Sequence, residues 1–236
     1  MQDRRPCVVL TGAGISTESG IPDFRSPTGI WARYDPLEVA TIDAFLADPV
    51  KVWDFYGKRL ELLGDAQPND GHSALAELER RGWVQAVVTQ NIDRLHARAG
   101  SREVVEVHGS IGTSSCLDCG TVIPLEDVMQ LLPVPECPTC GRVLKPDVVM
   151  FGELLPEAAI DRATRLAAQA GLMLVVGSSL EVYPVAGLPL ETLAAGGRLA
   201  IVNRGATQFD RRAALTIDAG AGEALRSLAT ALPDHP

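Results

Sequence analysis

Apolar positions along this chain fall into two patterns. Five short, near-continuous apolar runs, at residues 7–10, 84–89, 104–107, 172–176 and 199–202, predict strands buried on both faces. Between them apolar residues recur at helical spacing. One such stretch covers 92–99 and is closed by Gly100. A second, rich in Ala and Leu, opens at Pro156 and is closed by Gly171. A third covers 221–232. Strands alternating with helices predict an α/β fold, a parallel sheet covered by helices on both faces.

Two stretches break the alternation. Residues 27–66 lack a buried strand and predict a helix over about 50–63, with Asp48 as its cap and Pro49 at its first position. Residues 111–145 carry four cysteines and several prolines. Both read as insertions forming a small second domain. The large domain is then 1–26, 67–110 and 146–236, and the small one 27–66 and 111–145.

Composition narrows the function classes. The chain has 236 residues, 46% of them hydrophobic and 22% charged, with a formal net charge of −9. That balance argues against general binding to nucleic acid or membrane surfaces, which takes clustered Lys and Arg. Neither a signal peptide nor an apolar membrane-length run is visible, so a cytoplasmic setting is expected. Thiols stay reduced there, and clustered cysteines point to a metal before a disulfide.

The cysteines are the sharpest signal. Cys116 and Cys119 form one C-x2-C pair and Cys137 and Cys140 another, with 17 residues between the pairs. This spacing predicts a four-thiolate zinc ribbon, and Gly120 and Gly141 suit the turns of its knuckles. Four thiolates leave no open coordination position, so the metal would hold the fold and do no chemistry. Cys7, inside the first strand, reads as a small core residue.

Four other motifs sit at strand ends, where open α/β sheets bind ligands. The first is Gly12-Ala13-Gly14-Ile15-Ser16-Thr17-Glu18-Ser19-Gly20-Ile21-Pro22-Asp23-Phe24-Arg25. Small residues after a strand let a backbone approach a diphosphate, whose oxygens the following N–H groups can hold. Thr17 occupies the place of the third glycine of a dinucleotide fingerprint, and Asp23, Phe24 and Arg25 crowd the loop. A dehydrogenase has no need of that; an enzyme attacking the cofactor itself would. The second, Gln90-Asn91-Ile92-Asp93, follows the 84–89 strand and fits either a ligand site or a helix cap. In the third, His108 follows the 104–107 strand, placed as a general base near neutral pH. The fourth comprises Gly177-Ser178-Ser179 and Asn203, which suit a phosphate or ribose, although each alone also fits an ordinary turn.

Taken in order, these motifs resemble the sirtuins, NAD-dependent protein lysine deacylases. The matching residues are the 12–25 run, Thr89-Gln90-Asn91-Ile92-Asp93, His108-Gly109, the two Cys pairs, Lys145-Pro146-Asp147-Val148-Val149-Met150-Phe151-Gly152-Glu153, Val176-Gly177-Ser178-Ser179-Leu180 and Val182-Tyr183-Pro184. Ser178 stands where the family often has Thr, and Met150 where it often has Phe. The resemblance implies a large Rossmann-type domain and a small zinc domain, with NAD and the acyl-lysine meeting in the cleft between them. NAD would be consumed. Gly12, Ala13, Gly14, Ser16, Asp23, Phe24, Arg25 and Trp31 would surround the diphosphate and nicotinamide ribose. Gln90, Asn91, Ile92 and Asp93 would hold the nicotinamide end. Gly177, Ser178, Ser179, Asn203, Arg204, Gly205 and Ala221 would meet the adenosine half. As nicotinamide leaves, the acyl oxygen attacks the ribose carbon, and His108 takes a proton from a ribose hydroxyl, which attacks the bound acyl carbon. The products would be free lysine, nicotinamide and O-acyl-ADP-ribose. Val149, Phe151, Gly152, Glu153, Val182 and Tyr183 would flank an extended substrate peptide, an arrangement giving affinity with little sequence selectivity.

Tyr56 and Arg59 lie three residues apart on the predicted 50–63 helix, on one face with Val52 and Leu63. One reading packs Tyr56 in the core and lets Arg59 reach solvent. The other rests on similarity to the sirtuin class that removes succinyl and malonyl groups, in which such a pair binds the acyl carboxylate. Two rival functions remain: a protein ADP-ribosyltransferase using the same pocket, and a non-catalytic NAD-binding or zinc-ribbon module.

Overall fold

The computed structural model describes residues 6–234. The chain opens with β1 (Cys7–Thr11), whose loop leads through short 3-10 turns to the helices α1 (Pro36–Val39), α2 (Ile42–Ala47) and α3 (Pro49–Asp65). There follow α4 (Asp70–Arg80), β2 (Val84–Thr89), α5 (Leu95–Arg98), β3 (Val104–Glu106), β4 (Gly109–Ser115), β5 (Val122–Pro124), α6 (Leu125–Gln130) and β6 (Lys145–Val148). The last third is α7 (Glu157–Gln169), β7 (Leu172–Val176), α8 (Leu188–Ala194), β8 (Arg198–Val202), β9 (Leu215–Ile217) and α9 (Ala221–Ala231).

Six strands form one parallel sheet in the order β3-β2-β1-β7-β8-β9. The strand order reverses between β1 and β7, and that switch point is where an open sheet of this kind leaves a crevice. Both faces are apolar, as the near-continuous runs require. Val8 and Leu10 face α7 and α8, while Val9 faces α4 and α9. This is the Rossmann-like arrangement expected.

The two interrupting stretches gather into one apolar cluster. Trp53, Phe55, Leu60 and Leu63 of α3 pack with Ile111 of β4, Val128 of α6 and Met150. Asp48 caps α3 by accepting from the Lys51 N–H at 3.0 Å, with Pro49 at the first position. The indole of Trp53, fully buried, donates to the Leu144 carbonyl at 2.6 Å and ties α3 to the strand that follows the cysteines. β5, β4 and β6 form a small antiparallel sheet. No helix among the described residues is long and apolar enough to cross a membrane.

One expected helix is much shorter than its apolar pattern suggested. Residues 92–94 are not helical, and α5 starts only at Leu95. Arg94 sits in the left-handed region at φ 62°, and the Asp93 carboxylate accepts from the Leu95 N–H at 2.9 Å. The helix-cap reading of the 90–93 motif thus holds for Asp93, at a start later than the apolar pattern suggested.

Candidate active site

The loops after β1, β2 and β7 converge at the switch point. Gly12 N–H donates to the Val176 carbonyl at 3.1 Å, and Gly14 N–H to the Gly177 carbonyl at 2.8 Å. A Cβ on Gly12 would lie 2.8 Å from the Gly177 oxygen, and one on Gly14 2.7 Å from its Cα. These two glycines are therefore required by the packing of one loop on another as well as by any ligand. Asp23 accepts from the Arg25 and Ser26 N–H groups at 3.0 and 2.8 Å, folding the loop back on itself.

Asn91 and Asp93 are buried and share one partner. Ser16 Oγ donates to Asp93 at 2.7 Å and accepts from the Asn91 amide at 3.0 Å, which also reaches the Gly12 carbonyl at 3.1 Å. The polar ends of two strand loops are thus locked before any ligand arrives, which is the preorganisation an active site needs.

His108 Nδ1 lies 3.0 Å from the Gln90 carbonyl. A carbonyl only accepts, so Nδ1 carries the proton and Nε2 is the basic nitrogen. Burial pulls the imidazole below its ordinary pKa, and the Gln90 hydrogen bond offsets part of this. The ring is accordingly neutral near pH 7, the state a general base requires.

Two cavities meet here. One runs from Gly12, Ala13, Gly14 and Asp23 past Gly177, Ser178 and Ser179 to Asn203, Arg204 and Ala221. The other is lined by Ser16, Trp31, Tyr56, Arg59, Ile92, Asp93, Val149, Phe151, Gly152, Glu153 and Tyr183. Phe24, Arg25, Gln90, Asn91, His108 and Val182 border both. Across the mouth, Arg25 Nε pairs with Glu181 at 2.9 Å, and Ser179 Oγ donates to the same carboxylate. Gly205 is the exception among the expected residues. It lines neither cavity and instead forms a left-handed turn at φ 86°. Trp31 faces the second cavity.

The second cavity holds features the sequence did not announce. Phe55 stacks on Trp31 and meets Tyr34 and Tyr56 edge-on. The Arg59 guanidinium lies 5.1 Å from the Phe24 ring centroid and 5.7 Å from that of Phe55, and the residue is only 9% exposed. Among the described residues neither it nor the Tyr56 hydroxyl makes an ion pair or hydrogen bond. Burial lowers the Arg59 pKa and pushes Tyr56 up to about 12. Phe55 has an apolar helical neighbour pattern and nothing marks it as cavity-lining before the fold is known.

The four cysteine sulfurs lie within 4.8 Å of one another. Tetrahedral zinc with bonds of about 2.3 Å has sulfur–sulfur edges of about 3.8 Å, so the donor set fits that ion. Gly120 and Gly141, both at positive φ, close turns onto the Cys116 and Cys137 carbonyls. Cys7 stands apart, and burial raises its thiol pKa to about 12.

The sequence pattern of the Sir2 family matches residues 12–184. The chain belongs to the Sir2 family. Sir2 relatives include the NAD-dependent protein deacetylase 1 of Geobacillus kaustophilus, 52% identical over 87% of this chain and 84% of that protein. The NAD-dependent protein deacylase 2 of Pyrobaculum aerophilum is 49% identical over 95% of this chain and 90% of its own length. A solved Sir2 structure with a p53 peptide and NAD+ is 44% identical, superimposes with a TM-score of 0.89 and covers 96% of this chain and 92% of that one. A Sir2 structure bound to a propionylated peptide matches with a TM-score of 0.88 at 44% identity, again over 96% and 92%.

Proposed function

We propose that this Sir2 protein is an NAD-dependent protein lysine deacylase that consumes NAD and releases nicotinamide and O-acyl-ADP-ribose. The observation that carries the reading is the position of His108, a neutral imidazole on the border of both cavities with Nε2 free of any protein partner among the described residues. Bound NAD supplies an electrophilic ribose carbon as its nicotinamide bond breaks. Asn91 and Asp93, locked through Ser16, orient that end of the dinucleotide. His108 Nε2 accepts the proton of a ribose hydroxyl while the Gln90 carbonyl holds Nδ1–H. The loops at 12–25, 177–179 and 203–204, with Ala221, take the diphosphate and adenosine half. The peptide lies between Phe151–Glu153 and Val182–Tyr183, with its acyl group directed toward α3. Small and large domains divided at 27–66 and 111–145, a structural zinc on Cys116, Cys119, Cys137 and Cys140, and a cytoplasmic setting all accord with this reading.

Arg59 favours a second, narrower reading: malonyl- and succinyl-lysine as substrates beside acetyl-lysine. A buried cation without a carboxylate partner is costly, and a dicarboxylic acyl group would supply the missing anion. Purified protein incubated with NAD and peptides bearing acetyl, malonyl, succinyl or longer acyl groups tests both. Free lysine peptide, nicotinamide and O-acyl-ADP-ribose in the mass spectrum are expected. ADP-ribosylated protein instead would identify a transferase, and no nicotinamide release at all would identify a non-catalytic module.

A further inference from the structure

Lys145 opens β6 and is 6% exposed, yet it touches neither the dinucleotide cavity nor the acyl cavity. Its ammonium has three acceptors: the Val148 carbonyl at 2.9 Å, the Pro146 carbonyl at 3.2 Å and Glu153 Oε2 at 2.9 Å. The same Glu153 oxygen accepts from the Met150 N–H at 2.8 Å. One ion pair therefore closes the stretch 145–153 into a loop, with Gly152 turning at φ 91°.

The segment inside this loop is the wall of the acyl cavity. Its other ties run to both sides of the cleft. Val149 N–H donates to the His108 carbonyl at 2.8 Å, Phe151 N–H to the Ala40 carbonyl at 2.8 Å, and the Phe151 carbonyl accepts from Ile42 N–H at 3.0 Å. The wall thus hangs between the backbone of the general base and the α1–α2 connection. A buried ion pair contributes little net stability compared with an apolar pair of similar volume. What it does supply is direction: three ammonium donors matched to three fixed oxygens allow one conformation of the turn.

We infer that Lys145 is a positioning residue for the acyl-lysine substrate, fixing the 149–152 wall through Val148 and Glu153. The inference rests on the deacylase reading above. It is tested on the whole protein with Lys145→Met, Lys145→Arg and the near-isosteric Glu153→Gln. A fluorescent acetyl-lysine peptide and NAD are titrated separately, and steady-state kinetics and melting curves are recorded alongside. Lys145→Met should raise peptide Kd and KM on the order of 10- to 100-fold, the scale on which a displaced substrate wall acts. NAD affinity should shift by less than about twofold, because its cavity shares no contact with the ion pair. Lys145→Arg should recover most of the peptide affinity, and Glu153→Gln should weaken peptide binding without a matching fall in melting temperature. Unchanged peptide affinity in Lys145→Met, or equal loss for peptide and NAD in step with melting temperature, would overturn the positioning role while leaving wild-type deacylation standing. Wild-type protein that neither binds nor turns over acetyl-lysine peptide would refute the deacylase reading, and the inference with it.

Discussion

The two sides of the cleft are built from different materials. The cofactor side is mostly backbone and short polar side chains at strand ends, locked to one another: Gly12 and Gly14 on the β7 loop, Ser16 between Asn91 and Asp93. The acyl side is mostly large side chains on a helix, with Phe55, Tyr56 and Arg59 arranged around an opening. Backbone geometry is indifferent to most substitutions, whereas a pocket made of side chains changes shape with each one. On the deacylase reading, the first side would take one invariant cosubstrate and the second would select among acyl groups.

Removing the metal should break that comparison most completely. Cys116 and Cys137 pack with Leu144, whose carbonyl holds Trp53 of α3. Structural zinc contributes apparent free energies of about 10–16 kcal/mol to small sites. Metal analysis should therefore find zinc in the parent protein and none in Cys137→Ala. Hydrogen exchange should show β4, β6 and α3 unprotected, while β1, β2 and β7 keep their protection. Full retention of protection in α3 would mean that the acyl side stands without its metal.

The next largest effect lies where the two sides meet. His108→Ala should lower turnover about 10²- to 10⁴-fold, the usual cost of a lost general base. NAD and peptide affinities, measured by titration, should change little, because among the described residues the imidazole's one hydrogen bond is to the Gln90 carbonyl. Turnover near the wild-type rate would remove His108 from the chemistry.

These two predictions rest on features readable in the chain itself. Five of the six strands of the large sheet, the gathering of the four cysteines and the place of His108 just after β3 were legible because each depends on local pattern or short spacing, whereas β9 and the small antiparallel sheet carry no such apolar run. What escaped depends on pairings between distant residues. The glycines at 12 and 14 read as ligand contacts, and the second demand on them, close packing against Gly177, is marked by no spacing in the chain. Residues 92–94 look helical until Arg94 is seen in the left-handed region, which delays the helix to Leu95. Lys145 and Glu153 are eight positions apart and carry no period that marks them as partners.

Arg59 sharpens the contrast between the sides. Arg59→Met should reduce kcat/KM for succinyl-peptide about 10- to 150-fold, the value of a charge-assisted hydrogen bond of roughly 1.5–3 kcal/mol. Acetyl-peptide, which offers no carboxylate, should be nearly unaffected. Tyr56→Phe should act in the same direction by only about 2- to 13-fold, as one neutral donor is worth roughly 0.5–1.5 kcal/mol. Equal loss on both peptides, with a lower melting temperature, would return Arg59 to a packing role.

A different kind of effect, on stability and not on turnover, belongs to the cofactor side alone. His72 and His96 are fully buried behind its loops, with ring centroids 4.9 Å apart. His96 Nε2 lies 2.9 Å from Thr11 Oγ1, which donates to Thr89 Oγ1, and that hydroxyl in turn receives the Asn91 N–H. Burial lowers the two pKa values, to about 4 for His72 and about 3 for His96. Both lie below the unfolded value near 6.5, so the unfolded chain binds protons that the folded one refuses. The stability from keeping these rings neutral is complete above about pH 6.5 and declines as pH falls toward the folded values. The initial slope is about 0.7 kcal/mol per pH unit for each histidine at pH 6.5, where the unfolded ring is half protonated. Melting curves between pH 8 and 5 should show this decline, and His96→Gln should flatten it. A melting temperature constant across that range would mean the rings take up protons in the folded protein, and that the hydrogen-bond chain to Asn91 is not held by neutral imidazole.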